Sequence, residues 1–438
     1  MNAGKVEQGA PGPARRLGLI LTLSCFSLVA YLLRMNISVA AVFLAQDLHL
    51  TKVQLGQLFG SFLIGYTAFQ LPWGIFGDRF GARSVLCIAA ISWGVTTLLT
   101  GLLPGLILKA GLVSFLALIV LRLLLGVGEA AGFPVAARAI ASSMPKSRHG
   151  WGYSVVIAGL AAGSALAPPL VSRLMVSFGW RESFYITSGF AFILAAVWYF
   201  VSRDESTAAG SVRTMRPKMN ASSWRRLFRT PAIWNLSLSY FFESYALYVF
   251  VFWSYLYLVE RRRFTVLQGG FFTGLPFFAA MLVIPVVGYA SDLIKDRFGY
   301  AMGRRNLAIA LMTISAIFLF CAVRLDNPYP AIGAMSLSVA SLLSVEAIFW
   351  SSAIEVGGHN AGAAGAIMNT AGNLGGILST FSIPILLNAF GWSVAFGSSS
   401  AVLLLSALLW LRIKPSPSDD YLSPTVVGIA ATGATEEQ

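Results

Sequence analysis

Twelve apolar segments, each long enough to cross a lipid bilayer as a helix, constrain the fold of this chain more than any other feature. A spanning helix needs about 20 apolar residues, because in lipid its backbone groups can bond only to one another. The segments lie at approximately 17–43, 54–77, 84–103, 112–136, 150–176, 183–201, 232–258, 268–290, 306–323, 331–354, 361–389 and 392–411. We therefore expect an all-α integral membrane protein with twelve transmembrane helices.

The composition also identifies lipid as the surrounding solvent. Hydrophobic residues make up 57% of the sequence and charged residues only 11%, whereas soluble domains carry about 25% charged residues. The three cysteines, Cys25, Cys87 and Cys321, all fall in apolar segments, which argues against a disulfide framework or a four-thiolate zinc site. We expect them to fill the core of the helix bundle, and we expect no cofactor.

Lysine and arginine are distributed asymmetrically among the connecting segments. If the amino terminus lies inside, twenty of them fall on the cytoplasmic side and eight on the outer side. Because cytoplasmic loops carry the excess of basic residues, we expect a multi-pass protein of the cell membrane with both termini cytoplasmic, and the short tails favour a bacterial inner membrane. The net charge of +13 follows from this topology and from attraction to anionic lipid, so we expect no nucleic-acid partner.

The longest polar stretch lies at the middle of the chain and separates six apolar segments from six. We therefore expect two six-helix pseudo-repeats. The predicted organisation is a cytoplasmic tail at 1–16, a six-helix bundle at 17–201, a basic cytoplasmic linker at 202–230, a second six-helix bundle at 231–412 and a disordered cytoplasmic tail at 413–438.

Two similar loops occur at matching positions in the halves. GIFGDRFGARS follows the second apolar segment, and GYASDLIKDRFGYAMGRRN follows the eighth. In each, an aspartate at a helix end precedes glycine and arginine, so ion pairs there can tie neighbouring helices together and break when a gate opens. The alternative is that both loops serve only to fix the topology. The candidate gating residues are Asp78, Arg79, Arg83, Asp292 and Arg304.

Small residues are spaced for close helix packing at equivalent places in the two halves. The fifth segment contains Gly159 and Gly163 followed by Pro168. The eleventh repeats the arrangement with Gly372, Gly376 and Pro384. Glycines four residues apart let helices approach closely in membranes, and the repeat supports a duplicated architecture.

Charged residues interrupt the first and fourth apolar segments, at a depth where an ion needs a partner or a function. Arg34 is in the first segment, and Arg122 and Glu129 are in the fourth. An arginine at the bilayer centre costs about 2.5–3.5 kcal/mol on insertion scales. Seven residues are nearly two helical turns, so Arg122 and Glu129 share a face about 10 Å apart along the axis. The cluster has a charge of +1 when Glu129 is ionised and +2 when it is protonated.

Other polar side chains in the apolar segments are secondary candidates for substrate binding. They are Tyr31, which lies three residues before Arg34, Tyr66 and Gln70 in the second segment, and Asn369 and Asn373 in the eleventh. For each of them, a purely structural role, as a hydrogen-bonding group between helices, explains its presence equally well. Glu243 and Glu346 are intramembrane carboxylates without an evident partner and are candidates for a second coupling site. Glu355 lies near a helix end, where it is either solvated or part of the cytoplasmic gate.

The chain resembles the major facilitator superfamily. The loop GIFGDRFGAR is similar to that superfamily's signature after the second helix, and the six-plus-six arrangement covers nearly the whole sequence. Within it, YLLRMNISVA and RLLLGVGEAAGFP resemble motifs of the anion:cation symporter family, which includes bacterial sugar-acid transporters and animal transporters of sialic acid, glutamate and phosphate. Many bacterial members carry an aspartate directly before the first-helix arginine. Leu33 occupies that position here, which removes one proton site that the resemblance would imply.

The residues and the resemblance together predict a secondary active transporter that moves an organic anion with protons by alternating access. Arginine presents a planar fork suited to a carboxylate or phosphate; we expect Arg34 and Arg122 to bind the anion and Glu129 to carry the proton. The alternatives are an exporter or uniporter of neutral or cationic compounds, or a sodium/phosphate-type anion transporter. The sequence contains no P-loop and no nucleophile–base constellation, so we expect no enzyme. Members of the superfamily are usually monomers, and we expect a monomer.

Overall fold

The computed structural model describes residues 13–104, 107, 111–143, 149–202, 225, 227–357 and 361–413, and these residues form helices and their connections without a strand. The first half contains α1 (Pro13–Asp47), α2 (Lys52–Leu102), α3 (Leu112–Glu129), α4 (Gly132–Ser143), α5 (His149–Phe178) and α6 (Trp180–Val201). The second half contains α7 (Pro231–Glu260), α8 (Val266–Phe298), α9 (Leu307–Arg324), α10 (Pro328–Gly357) and α11 (Ala361–Leu409). A π-helical segment (Ala301–Asn306) leads into α9, and a 3₁₀ turn (Trp410–Arg412) follows α11.

The twelve predicted spans are confirmed, although two of the long helices each contain two of them. In α2 the backbone leaves the helical region at Gly81 (φ 80°), and in α11 it does so at Gly391 (φ 78°). Positive φ is accessible to glycine at little cost, so each glycine turns the chain between consecutive spans. Among the described residues, ten segments meet the length and hydropathy of a spanning helix. One of them, Gly362–Arg412, holds two spans, and the part of α2 before Gly81 supplies the remaining one.

The fourth span covers 112–136 as predicted, but it is divided between two helices, because α3 ends at Glu129 and α4 begins at Gly132. Pro134 explains the break: it has no backbone N–H to donate to the carbonyl of Ala130, and its ring crowds the preceding turn. The helical bonding resumes with the N–H of Val135, which donates to the Ala131 oxygen at 3.2 Å. Glu129 therefore lies at the carboxyl end of a helix, at a discontinuity in the membrane-spanning segment.

Close packing of small residues is confirmed in both halves. A Cβ at Gly159 or Gly163 of α5 would collide with backbone oxygens of α1. In the second half, a Cβ at Gly372 or Gly376 of α11 would collide with tyrosine rings of α7. Backbones that approach this closely gain the van der Waals contact that drives helix association in lipid.

The contact between α2 and α3 is equally close and fixes the position of Arg122. A Cβ at Gly126 would collide with the backbone oxygen of Phe62, and one at Gly65 would collide with that of Leu123. Because Gly126 is one helical turn beyond Arg122, this contact holds the Arg122 side chain beside the first part of α2.

The prediction that the cysteines fill the core is wrong for Cys25 and Cys321, which are exposed, while Cys87 is partly buried. In a bilayer, moving an apolar side chain from lipid into the protein core gains little free energy, because both surroundings are apolar. An apolar segment therefore does not show which of its faces is buried. The predicted tail at 1–16 is described only from residue 13, and most of the predicted linker and carboxyl-terminal tail lies outside the described residues, so these domain boundaries stay predictions.

The Gly126 contact predicts opposite effects for two glycine-to-alanine substitutions. We expect Gly126→Ala to lower the free energy of unfolding by about 1–3 kcal/mol, because the added methyl meets backbone that cannot rotate away. Gly189→Ala in α6 is the matched control, since a Cβ there meets nothing within 4 Å, and alanine is intrinsically the better helix former. Thermal unfolding of both proteins in the same detergent measures the difference, and equal stability of the two variants would contradict the packing described for Gly126.

Candidate functional site

The buried charges of the first half meet in one cluster between α1 and α3. The Nε and Nη2 atoms of Arg34 both donate to Oε2 of Glu129, at 3.2 and 3.0 Å. The side chains are 2% and 0% exposed. The sequence placed these residues near each other, and the structure joins them as a direct ion pair.

Arg122 is the second guanidinium of this cluster, and it has no carboxylate of its own among the described residues. Its Nη2 donates to the backbone oxygen of Arg34 at 3.3 Å, and its buried Nε has no hydrogen-bond partner there. The residue is 1% exposed. Glu129 therefore pairs with one of two buried cations, and the three side chains carry a net charge of +1 when all are ionised.

Aromatic rings partly compensate the excess positive charge, for which the cluster has no second carboxylate among the described residues. The guanidinium carbon of Arg34 lies 4.4 Å from the ring centre of Tyr31 and 4.8 Å from those of Phe62 and Tyr66. That of Arg122 lies 5.4 Å from the ring centre of Phe62. Cations over ring faces at such distances are attracted by the ring quadrupole, more strongly where water is excluded. Tyr31 and Tyr66 were predicted; Phe62 was missed, although it lies four residues before Tyr66.

Glu129 keeps one oxygen free. Oε1 is buried and has no hydrogen-bond partner within the described part of the chain. A small cavity adjoins the pair and is lined by Ser27, Arg34, Trp93, Glu129 and Phe133. We call the face where α1 begins the inner face and the face where it ends the outer face. Ser27 precedes Arg34 on α1, and Phe133 follows Glu129 toward α4, so the cavity lies on the inner side of the pair.

Predicted polar residues from the two halves meet on the inner side of the same region. The Nδ2 atom of Asn369 donates to Oε1 of Gln70 at 2.8 Å, and that of Asn373 donates to it at 3.5 Å. Gln70 is one turn after Tyr66 on α2, while both asparagines belong to α11. The structure thus brings these candidates together across the interface between the halves, and their role in binding stays a prediction.

The sequence model of the Major Facilitator Superfamily matches residues 23–380. The chain belongs to the Major Facilitator Superfamily. It is 31% identical to a probable sulfoacetate transporter of Cupriavidus necator, over 91% of this chain and 94% of that protein. It is 27% identical to a D-galactonate transporter of Escherichia coli, over 93% and 97%.

A solved structure of a bacterial homologue of the human lysosomal transporter Spinster, described as inward-facing and occupied, superposes with a TM-score of 0.76 at 16% identity. It covers 93% of this chain and 100% of that one. This likeness confirms the twelve-helix fold. The relatives are organic-anion transporters, which agrees with the resemblance to the anion:cation symporter family, and the protein is a multi-pass membrane transporter rather than an enzyme.

At the inner face of this transporter, an ion cluster joins three helical segments of the second half. Arg304 Nη2 donates to Asp292 Oδ1 at 2.7 Å and to Glu355 Oε1 at 3.2 Å, and Lys295 Nζ lies 3.3 Å from the same glutamate oxygen. Asp292 is on α8, Arg304 lies before α9 and Glu355 is on α10. The predicted aspartate and arginine therefore meet, and Glu355 joins them.

The corresponding loop of the first half is arranged differently. Arg83 donates to the backbone oxygen of Tyr199 at 3.1 Å and lies over its ring at 4.3 Å. Arg79 is exposed and lies 5.3 Å from the ring centre of Phe80. The side chain of Asp78 lies outside the described residues. The gating role of both loops stays a prediction.

The halves are closed against each other on the outer side of the cluster. Lys52 of α2 forms an ion pair with Glu260 of α7. One layer deeper, Phe59 stacks on Phe252 with ring centres 5.0 Å apart. The hydroxyl of Ser38 donates to the backbone oxygen of Phe252 at 3.0 Å. The structure is therefore a state in which contacts between the halves separate Arg34 from the outer face.

The outer closure predicts a cross-link between the halves. With the native cysteines replaced by serine and a protease site inserted at 203–224, Lys52→Cys combined with Glu260→Cys should be joined by a short thiol-reactive bifunctional reagent. The halves should then stay together on a denaturing gel after cleavage, because the two side chains meet in this state. Each single-cysteine variant is the control and should separate. Equal separation of the double variant would contradict the closure.

Proposed function

We propose that this protein is a proton-coupled symporter of a small organic anion that works by alternating access. The observation that carries the proposal is an imbalance of buried charge: Glu129 forms an ion pair with Arg34, and the second buried guanidinium, Arg122, donates only to the backbone oxygen of Arg34. A permanently structural pair needs one cation for one anion. The second cation leaves the site with an excess positive charge that an anionic substrate would neutralise.

The chemistry of the site favours a carboxylate or sulfonate. Guanidinium groups bind such planar or tripodal oxyanions through paired N–H donors. Arg122 retains a buried Nε with no described partner, so a donor is available without breaking an existing bond. Tyr31 and Tyr66, whose rings lie against Arg34, would border the bound anion, and Gln70 with its two asparagine partners would contact its polar end.

Proton coupling follows from the position of Glu129. When this carboxyl group is ionised, it holds Arg34 through two hydrogen bonds. When it is protonated, the attraction is lost and both guanidinium groups are free to hold the substrate. The free Oε1 atom of Glu129 would bind the proton, and the cavity on its inner side would provide the path for its release. Substrate and proton would therefore enter together and part at the inner face.

The charge of the protonated site suggests the substrate class. With Glu129 neutral the cluster carries +2, which matches a small dianion as well as a monoanionic sugar acid. The relatives are a probable sulfoacetate transporter and a D-galactonate transporter, and sulfoacetate has both a sulfonate and a carboxylate. We propose a small carboxylate- or sulfonate-bearing acid as substrate.

We also propose a bacterial inner membrane location with cytoplasmic termini. The linker at 202–230 would divide the chain into its two six-helix bundles, and the protein would function as a monomer.

The two alternative functions make different demands on this transporter. An exporter or uniporter of neutral or cationic compounds would need both arginines neutralised within the protein, and the described residues place one carboxylate beside them. A sodium-driven phosphate-type carrier differs in its driving ion, so a sodium gradient separates it from the proposed symporter. The experiment therefore includes a sodium gradient and a panel of substrates.

The proposed coupling predicts separate phenotypes for two substitutions in proteoliposomes. With an inward proton gradient, wild-type protein should accumulate one member of a panel containing sulfoacetate, D-galactonate, glucuronate, sialic acid, glutamate and phosphate. Arg122→Ala should lower kcat/KM by about 10- to 100-fold, because a charge-assisted hydrogen bond contributes roughly 1.5–3 kcal/mol. Glu129→Gln should retain substrate exchange between the two sides while losing accumulation driven by the gradient.

The matched control is Glu182→Gln, which changes an exposed carboxylate at the start of α6 and should leave uptake unchanged. Uptake that follows a sodium gradient in place of the proton gradient would contradict proton coupling. Transport of a neutral or cationic compound that ignores both site substitutions would make the cluster structural and support the exporter.

A further inference from the structure

Two carboxylates of the second half lie outside the arginine cluster, and the transport cycle proposed above does not use them. Glu243 is on α7 and is 0% exposed. Glu346 is on α10 and is only partly buried. Both lie well inside predicted spans, at a depth where an ion is costly unless it is paired.

Tyr240 joins the two carboxylates into one group. Its hydroxyl lies 3.1 Å from Oε1 and 2.9 Å from Oε2 of Glu346, so it donates to that carboxylate from across the α7–α10 interface. Tyr240 and Glu243 are three residues apart and therefore share a face of α7. Glu243 and Glu346 interact electrostatically. We call Tyr240, Glu243 and Glu346 the second-half carboxylate group.

Glu243 has very little to stabilise a negative charge. Its Oε2 accepts one hydrogen bond, from Ser244 at 3.2 Å. Its Oε1 is buried and has no partner among the described residues. No lysine, arginine or histidine of the described chain lies within ion-pair distance of either carboxylate, whereas Glu129 is held directly by Arg34. An unpaired charge at such a site is so costly that the group is expected to neutralise.

The groups facing Glu243 from the neighbouring helices do not change this balance. α10 contributes Glu346, which repels a second negative charge. α11, which packs against Tyr240 and Ser244 through Gly372, contains no titratable side chain anywhere in 361–409. α1 carries Tyr31 and Arg34, and the Arg34 side chain is bonded to Glu129. α8 and the 3₁₀ turn after α11 also contact α7. Their charged residues include Asp292, Lys295 and Arg412, and within the described chain none of their basic side chains forms an ion pair with either carboxylate.

We propose that Glu243 is a second proton-binding site of this transporter, located in the second half, and that the partly exposed Glu346 is the group through which its proton exchanges. Loading forms one O–H bond at the buried carboxylate and removes its charge. Release breaks that bond and passes the proton to Glu346 or to water beside it. As a step in transport this inference rests on the function proposed above, whereas as a proton site it stands independently.

A proton fits the surroundings of Glu243 better than a metal cation does. Mg²⁺ and Ca²⁺ take six or more oxygen ligands. Around Glu243 the described residues offer its own carboxylate and the hydroxyl of Ser244, while the hydroxyl of Tyr240 is committed to Glu346. A substrate molecule is also excluded in this state, because Glu243 is 0% exposed.

Infrared difference spectroscopy of the purified protein tests the site without any substrate. A buried protonated carboxylic acid gives a carbonyl stretch that shifts in heavy water and vanishes when the group ionises. Wild-type protein at neutral pH in potassium buffer should show such a band, and Glu243→Gln should lose it while Glu129→Gln keeps it. Glu182→Gln, at an exposed carboxylate, is the matched control and should leave the band unchanged.

Glu346→Gln distinguishes a proton site from a merely structural glutamate. Removing the neighbouring negative charge should move the pH at which the Glu243 band disappears to a lower value, because ionised Glu243 is then no longer repelled. An unchanged band in Glu243→Gln would overturn the proposal. So would a wild-type band that disappears on adding sodium at constant pH, since the ligand would then be the metal cation.

The outcomes also separate this inference from the proposed function. If the Glu243 band is present and transport ignores the proton gradient, the proton site stands and the symport proposal fails. If gradient-driven uptake occurs and the band is absent, the symport proposal stands and the proton site at Glu243 fails. Should Glu243→Gln fold poorly, the sodium and pH dependence of the wild-type band, compared with Glu346→Gln, still decides the matter.

Discussion

A charge buried within a bilayer is not hydrated, so the protein must supply its partners. The arrangement of helices around the arginine cluster of this transporter follows from that constraint. Arg34 and Arg122 lie where a cation is expensive, and the fold brings one carboxylate and three aromatic rings to them. The compensation is incomplete, because Glu129 pairs with Arg34 and leaves Arg122 without a carboxylate among the described residues. A structural ion pair would balance one cation with one anion, and its net contribution to stability is usually small.

The helix packing that brings these charges together depends on residues without charge. Gly126 and Gly65 let the backbones of α2 and α3 approach, and this places Arg122 beside Phe62. Pro134 ends the regular hydrogen bonding of the span just after Glu129, so the carboxylate occupies a helix end. Discontinuous helices at membrane depth are characteristic of transporter binding sites, because backbone left unpaired there borders protein or a cavity and not lipid.

The two halves repeat each other in helices but not in charge. The first half contributes an excess of positive charge at the interface, and the second contributes the second-half carboxylate group. Gln70 joins the halves by accepting a hydrogen bond from Asn369 of α11 on the inner side. In the cycle that we propose, movement of the halves would change how these opposite charges face each other.

The amino-acid sequence by itself determined the number and approximate limits of the spans, because the bilayer imposes a minimum apolar length on each helix. It also determined the depth of Arg34, Arg122 and Glu129, because charges interrupt an apolar segment visibly. It did not determine which arginine pairs with Glu129, that Tyr240 contacts Glu346, or that Cys25 and Cys321 are exposed. Those features depend on helix rotation and on contacts between residues far apart in the chain, and lipid makes one helix face nearly as acceptable as another. Only the tertiary structure decided them.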